Sequence, residues 1–273
     1  MALANTDFVF YLSANRPEAD VGASGGAIAL VRLMNIATCD SLNTGSGERV
    51  KFVSSAGGDT TQTVAVEGYG VDGAWLSETV DLAGATPVLT VGTYKHLKKA
   101  VLSATCAGTI TVTGNTTAAT LFTVPIGELG ASSMFLKATA NAGGGAAKTL
   151  YEKLFVKNTN VTSAGVACTF YNATDNKTEL TFAMECAGGT GSAYQVTGGT
   201  ESATNRATLP TGGGTYTFTE MLTSGSAVAV GDAADGNMVA AEAQGIWVKL
   251  SLAAGVAPDQ VCQMTLDLTA NAS

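Results

Sequence analysis

One pattern in this 273-residue chain starts, stops and starts again. The stretch Asp7-Phe8-Val9-Phe10-Tyr11-Leu12-Ser13, running on through Gly22-Ala23-Ser24-Gly25-Gly26-Ala27-Ile28, ends near residue 36. What reads as its continuation resumes only at Leu150-Tyr151-Glu152-Lys153-Leu154-Phe155-Val156-Lys157-Asn158-Thr159-Asn160. A self-contained segment rich in Thr, Val and Gly lies between. The arrangement expected is all-β: two β-sandwich-like domains, one inserted into the other. Residues 1–36 and 143–273 form the host sandwich, and 37–142 form the insert.

Inside the insert, short alternating runs are separated by turn signals. Residues 49–53 end at Ala56-Gly57-Gly58-Asp59. In 61–69, Val64 and Val66 share one face, with Thr63, Ala65 and Glu67 on the other. Asp72-Gly73 marks a tight hairpin, because its central residues need positive φ, and 76–82 is the return strand. Residues 98–104 and 108–114 continue the series. Turn signals about every 8–12 residues point to a sandwich.

The alternation is stricter after the insert. Apolar residues fall on even positions in 166–170 and 178–186, with 172–177 supplying a turn. Ile246, Val248, Leu250 and Leu252 alternate with Trp247, Lys249 and Ser251; Cys262, Met264, Leu266 and Leu268 alternate with Gln263, Thr265 and Asp267. A two-residue period with one apolar face describes strands half buried on a second sheet. Residues 187–245, cut by Gly188-Gly189, Gly198-Gly199 and Gly212-Gly213-Gly214, read as long loop. They hold one strand at 215–218 and at most a short helical turn in 233–244.

Composition narrows the partners. Hydrophobic residues make up 46% and charged residues 13%, so the low hydrophobicity and high charge of a disordered chain are absent. A net charge of −8 argues against nucleic acid, whose binding rests on Lys and Arg displacing counterions. The one dense basic spot, Lys95-His96-Leu97-Lys98-Lys99, reads as a solvated strand end or turn. The start of the chain has no signal-peptide pattern, and the apolar run 27–34 is cut by Arg32 and too short to cross a membrane. A soluble protein made in a cytoplasm is expected.

The five cysteines, Cys39, Cys106, Cys168, Cys186 and Cys262, contain no C-x-x-C pair, and there is one histidine; no metal or cofactor is expected. Cys168, Cys186 and Cys262 sit on apolar parity and read as buried thiols of one core. Cys39 and Cys106 are the better candidates for any bridge. A serine triad needs a histidine oriented by a carboxylate; His96 lies among lysines with no G-x-S-x-G elbow, and reads as structural. Trp75, just after the hairpin turn, Trp247, on the polar parity of its strand, and Tyr69 are the candidate interface residues, aromatics being enriched in interface cores. Sugar stacking is the other use open to the two tryptophans. With no catalytic, cofactor or metal residue assigned, the chain is not expected to be an enzyme.

Three motifs carry a family resemblance: residues 8–13 with their Gly/Ala/Ser follow-on, residues 150–160, and Gly245-Ile246-Trp247-Val248-Lys249-Leu250-Ser251-Leu252-Ala253-Ala254-Gly255. Together they resemble a group of tailed-bacteriophage virion structural proteins, in which they follow one another without the insert. Thr60-Thr61-Gln62-Thr63-Val64-Ala65-Val66-Glu67-Gly68-Tyr69 with Leu76-Ser77-Glu78-Thr79-Val80 is similar to immunoglobulin-like modules of phage head and tail proteins. The resemblance covers about half the chain and implies a virion protein made in the host bacterial cytoplasm, with no catalytic residues.

Two functions are then open. One is a capsid decoration or cement protein, partnered by the major capsid protein and by copies of itself, with homotrimers expected by analogy. The other is a receptor- or carbohydrate-binding spike, fibre or other tail protein, whose partner would be a host-surface glycan. Neither includes nucleic acid or membrane. Copy number per particle separates them.

Overall fold

β-Branched and aromatic residues on a two-residue period build strands, and strands are nearly all the regular structure among the described residues. The computed structural model describes residues 7–138, 146–175, 180–185, 202–210, 216–219, 228–229, 236–254 and 264–272. In chain order the strands are β1 (Phe8–Asn15), β2 (Ser24–Leu33), β3 (Val50–Ser54), β4 (Thr63–Gly70), β5 (Trp75–Asp81), β6 (Val88–Leu89), β7 (Tyr94–Leu102), β8 (Ile110–Gly114) and β9 (Thr120–Val124). Then come β10 (Gly130–Ser132), β11 (Lys148–Asn158), β12 (Gly165–Asp175), β13 (Leu180–Met184), β14 (Ser202–Ala203), β15 (Val228–Ala229), β16 (Ala243–Leu252) and β17 (Met264–Ala272). A four-residue helix, α1 (Ile36–Cys39), precedes a 3-10 turn at Leu42–Gly45. The chain divides into two compact units, Met1–Ala29 with Met134–Ser273, and Leu30–Ser133.

In the unit Leu30–Ser133, one sheet runs β10-β7-β4-β5 and the other β6-β3-β8-β9. The last residues of β2 lie parallel to β10, Val31 opposite Gly130 and Leu33 opposite Ser132. Val50, Phe52, Ile110 and Val112 from one sheet share a core with Val64, Val66, Leu97 and Leu102 from the other. Fully burying each such side chain is worth about 1.5–3 kcal/mol, which is what closes the two sheets on each other. Cys39 and Cys106, the candidates for any bridge, belong to the same core as buried free thiols, and no bridge joins them.

Acidic residues fasten this unit's turns from within. Buried Glu48 accepts from the Thr116 and Thr117 amides at 2.7 and 3.0 Å and from the Thr117 hydroxyl at 2.7 Å. Gly114 leaves it room, since a Cβ there would come within 2.2 Å of its carboxylate. Asp59, also buried, accepts from the Ala107 and Gly108 amides at 2.9 and 3.0 Å and from Ser54 Oγ at 2.5 Å. Glu78 takes the Val91 and Gly92 amides at 2.7 and 3.0 Å and the Tyr94 hydroxyl at 2.9 Å. Charge-assisted bonds of this kind satisfy amides that no strand can pair.

The other unit has a sheet ordered β13-β16-β11-β1-β2, with β14 on β2, and a three-stranded sheet ordered β15-β12-β17. Registers place Leu12 opposite Leu154, Leu154 opposite Ile246, and Met184 opposite Ile246. That even-numbered face, with Phe10 and Phe182, meets Phe170 of β12 at ring separations of 6.1 and 5.7 Å. The odd-numbered face was expected to be polar and solvated, and Trp247 a surface contact. Both are corrected: Trp247 is 0% exposed, with the Tyr216 ring at 6.5 Å and Lys153 Nζ 5.5 Å from its centre. Lys153 in turn meets Glu185 at 2.7 Å, both side chains 0% exposed.

Two local expectations also change, and the described part of 233–244 stays within a third. Lys95 to Lys99 is no solvated end but the middle of β7, with His96 and Lys98 buried, because Asp40 faces both of them and Glu67 meets Lys99 at 2.5 Å. Residues 172–175 extend β12 rather than turning. The described part of 233–244 is no helix: Met238 bridges Gly165, and β16 begins at Ala243. Cys168 is buried, whereas Cys186, Cys262 and most of 187–235 lie outside the described residues.

Candidate functional site

The remaining interface candidates, Tyr69 and Trp75, come together at one end of an open sheet edge. The turn between β4 and β5 is set by Gly73, at φ 77, where a side chain would be strained. Asp72 Oδ1 accepts from the Ala74 amide at 2.9 Å. Pairing then runs without a shift from Tyr69 opposite Trp75 to Thr63 opposite Asp81. The two rings stack edge to face, 4.9 Å between centres and 87° between planes, and both residues are half-buried.

The hydrogen-bond phase shows which backbone groups β5 turns outward. Gly70 N donates to Ala74 O at 2.8 Å, and Leu82 N donates to Gln62 O at 3.0 Å. Antiparallel pairs alternate along a ladder, so even-numbered residues of β5 bond inward to β4. Ser77, Thr79 and Asp81 therefore direct their N–H and C=O groups away from β4. Among the described residues no strand pairs with that side. The three side chains are exposed, while Val80 is buried in the core and Leu76 packs against it.

Sheet edges are normally blunted by lysine, proline, a bulge or an inward charge. β5 carries neither Lys nor Pro and has no register shift, although β4 is bulged against β7 and β8 against β9. Glu78, the one charge on its inner face, is held by the turn at 91–92. Exposed Val71 precedes the strand, and Val91, 86% exposed, gives its amide to Glu78 of the strand. An extended chain laid along Ser77–Asp81 would find ready donors and acceptors, with the Trp75 and Tyr69 rings at one end.

The other chemistry-bearing group is Asp40 with His96. Asp40 Oδ1 hydrogen-bonds His96 Nδ1 and lies 3.7 Å from Lys98 Nζ. The adjacent Cys39 thiol is pushed up to about 11 by burial, so it stays protonated at neutral pH and makes a poor nucleophile. Among the described residues no set of three His, Cys, Asp or Glu side chains is placed to hold a metal, and no helix is long and apolar enough to cross a membrane.

The buried ion pairs and the turn-fastening carboxylates were not foreseen. Only Asp59 had a signal, lying in the Gly57-Gly58-Asp59 turn. No family model, curated protein or solved structure matches the chain significantly.

Proposed function

We propose that this protein works by assembly rather than catalysis, as a capsid decoration or cement protein of a tailed-phage virion. It would bind between subunits of the major capsid protein and beside copies of itself, in trimers. The observation that carries the assembly reading is β5: a straight, unblunted edge strand with Ser77, Thr79 and Asp81 turned outward and an aromatic pair at its end. Strand addition of this kind draws affinity from main-chain hydrogen bonds, which suits a chain with few charges, and repetition over a symmetric shell adds strength by multivalency. The phage assignment rests on the sequence motifs.

What supports an immunoglobulin-like reading of Leu30–Ser133 is its sheet order. β5-β4-β7-β10 follows the C′-C-F-G order of that fold. The departure is the β8–β9 hairpin, formed in the opposite sheet between β7 and β10, where an immunoglobulin chain passes directly from F to G.

The test is Thr79→Pro. The Thr79 amide points away from β4, so proline there removes an edge donor and leaves the ladder intact. The variant should melt like the parent yet fail to load onto heads, and heads lacking the protein should lose tolerance to heat. Full loading by the variant would reject β5 as the contact. Heat-tolerant heads combined with failed adsorption to host cells would favour the receptor-binding reading. One observation favours that second reading: half-buried Tyr151, Tyr216 and Phe218 cluster with ring separations of 5.5 and 6.2 Å, and Lys249 lies 5.9 Å from the Phe218 ring.

A further inference from the structure

Phe135 and Lys137 both hold left-handed backbone, at φ 52 and 54, in a turn closed by the Ala138 amide donating to Phe135 O at 3.0 Å. Non-glycine residues seldom adopt this region, and two of them within three residues persist only when their surroundings hold them there. Three contacts do so. The Phe135 amide donates to Glu152 Oε2 at 2.8 Å, Arg206 Nη1 donates to Leu136 O at 3.0 Å, and Lys137 Nζ meets Glu18 at 2.6 Å.

Beneath the turn, Glu152 and Arg206 are almost wholly buried. Arg206 Nη1 is 3.3 Å from Glu152 Oε1, and Arg206 Nη2 is 3.0 Å from Asp20. The same guanidinium donates to Pro17 O and Glu18 O at 2.8 and 3.3 Å. Asp20 also holds Lys148 at 2.5 Å. Arg16 adds a second positive charge near Glu152. The charged groups facing Glu152 are thus Arg206 and Arg16, backed by Asp20 and Lys148, with Glu18 and Lys137 at the exposed rim.

We propose that residues 134–138 form a strained latch over Glu152, and that ionisation of that carboxyl sets how often the latch opens. Opening lets two residues leave an unfavourable backbone region and lets water reach the carboxylate. A neutral Glu152 gains little from that water, and an ionised one gains much.

Burial is the largest influence on Glu152 and pushes its carboxyl up to about 7, against the opposing pull of the Phe135 amide, Arg206 and Arg16. In the open form the group returns toward 4.5. The closed form therefore holds its proton more tightly, and the closing advantage is complete below about 4.5. It declines as pH rises and is gone once pH has passed about 7. The latch is locked by acid and loosened at neutral pH.

Amide hydrogen exchange on the full chain between pH 5 and 8, corrected for intrinsic rates, tests this. Protection of the peptide covering 134–138 should fall by up to about tenfold per pH unit from pH 5 to 7 and level off above it. A peptide covering 154–156 of β11, the internal control, should not follow it. Glu152→Gln should flatten the profile. A flat wild-type profile overturns the proposal, and so does a slope retained in Glu152→Gln. If Glu152→Gln does not fold, the wild-type slope against the 154–156 control decides.

Discussion

Replacing Lys153 with Met should be among the most damaging single changes available in this protein. Met keeps much of the side chain's length and removes its charge. Lys153 Nζ sits 2.7 Å from Glu185 Oε1 with both side chains 0% exposed. It also lies 4.9 and 5.5 Å from the ring centres of Phe155 and Trp247. Gly245 is packed so closely that a Cβ there would come within 1.9 Å of Glu185 Oε2, so the carboxylate has little room to turn toward water. Removing one partner of a buried pair costs about 3–5 kcal/mol, and the lost cation–ring contacts add about 0.5–2 kcal/mol. A total of about 4–7 kcal/mol would take up much of the stability of an ordinary domain.

The double variant Lys153→Met with Glu185→Gln replaces both charges and should return to within about 2 kcal/mol of the parent, because desolvating the pair offsets most of its attraction. Urea unfolding read by tryptophan fluorescence in a Trp75→Phe background would report this unit through Trp247 alone. A Lys153→Met cost below about 1 kcal/mol, or a double variant no better than the single one, would refute the reasoning.

Asp59 should govern acid stability in Leu30–Ser133. Its hydrogen bonds from Ser54, Ala107 and Gly108 hold the carboxyl below its ordinary range, so its contribution is present above about pH 4 and is lost as pH falls through the depressed value. Melting temperatures from pH 2.5 to 7 should show that slope, and Asp59→Asn should weaken it and lower stability at neutral pH. Burial pushes the Cys39 and Cys106 thiols up, so a thiol reagent at pH 7.5 should modify neither before unfolding; rapid labelling of either would contradict their burial. Residues 30–133 expressed alone should unfold cooperatively, because their sheets share a core drawn from within that stretch; an aggregated fragment would show that this core needs the rest of the chain.

What the sequence made legible was one-dimensional. Val64 with Val66, Ile110 with Val112, and Ile246 through Leu250 announce strands because every second residue is apolar, and Asp72-Gly73 announces its turn because few other residues fit one. β10 escaped notice because Gly130-Ala131-Ser132 has no apolar alternation; it is a strand through its neighbours, β2 and β7. The charged residues were misjudged for a related reason. Lys98 reads as solvent-facing until Asp40 is brought to it, and Arg206 reads as loop until Glu152 and Asp20 converge on it from remote stretches. Trp247 failed on parity alone, since alternation marks two faces and does not say that the second is uncovered. Of the proposed site, the turn and the two aromatic residues were visible, but the openness of β5 depends on what does not pair beside it.

The parallel pairing of β2 with β10 has a consequence for how such a chain could be rearranged. Leu30 accepts from the Leu129 amide at 2.6 Å, and the strand then runs beside β10 to Leu33 opposite Ser132. At about 3.3 Å per residue and 4.8 Å between strands, the points where the backbone enters and leaves Leu30–Ser133 are roughly 14 Å apart. A linker of about five residues would span that gap. The stretch thus has the geometry of a removable cassette: it could be excised and the surrounding chain rejoined, or grafted into a surface turn of an unrelated carrier.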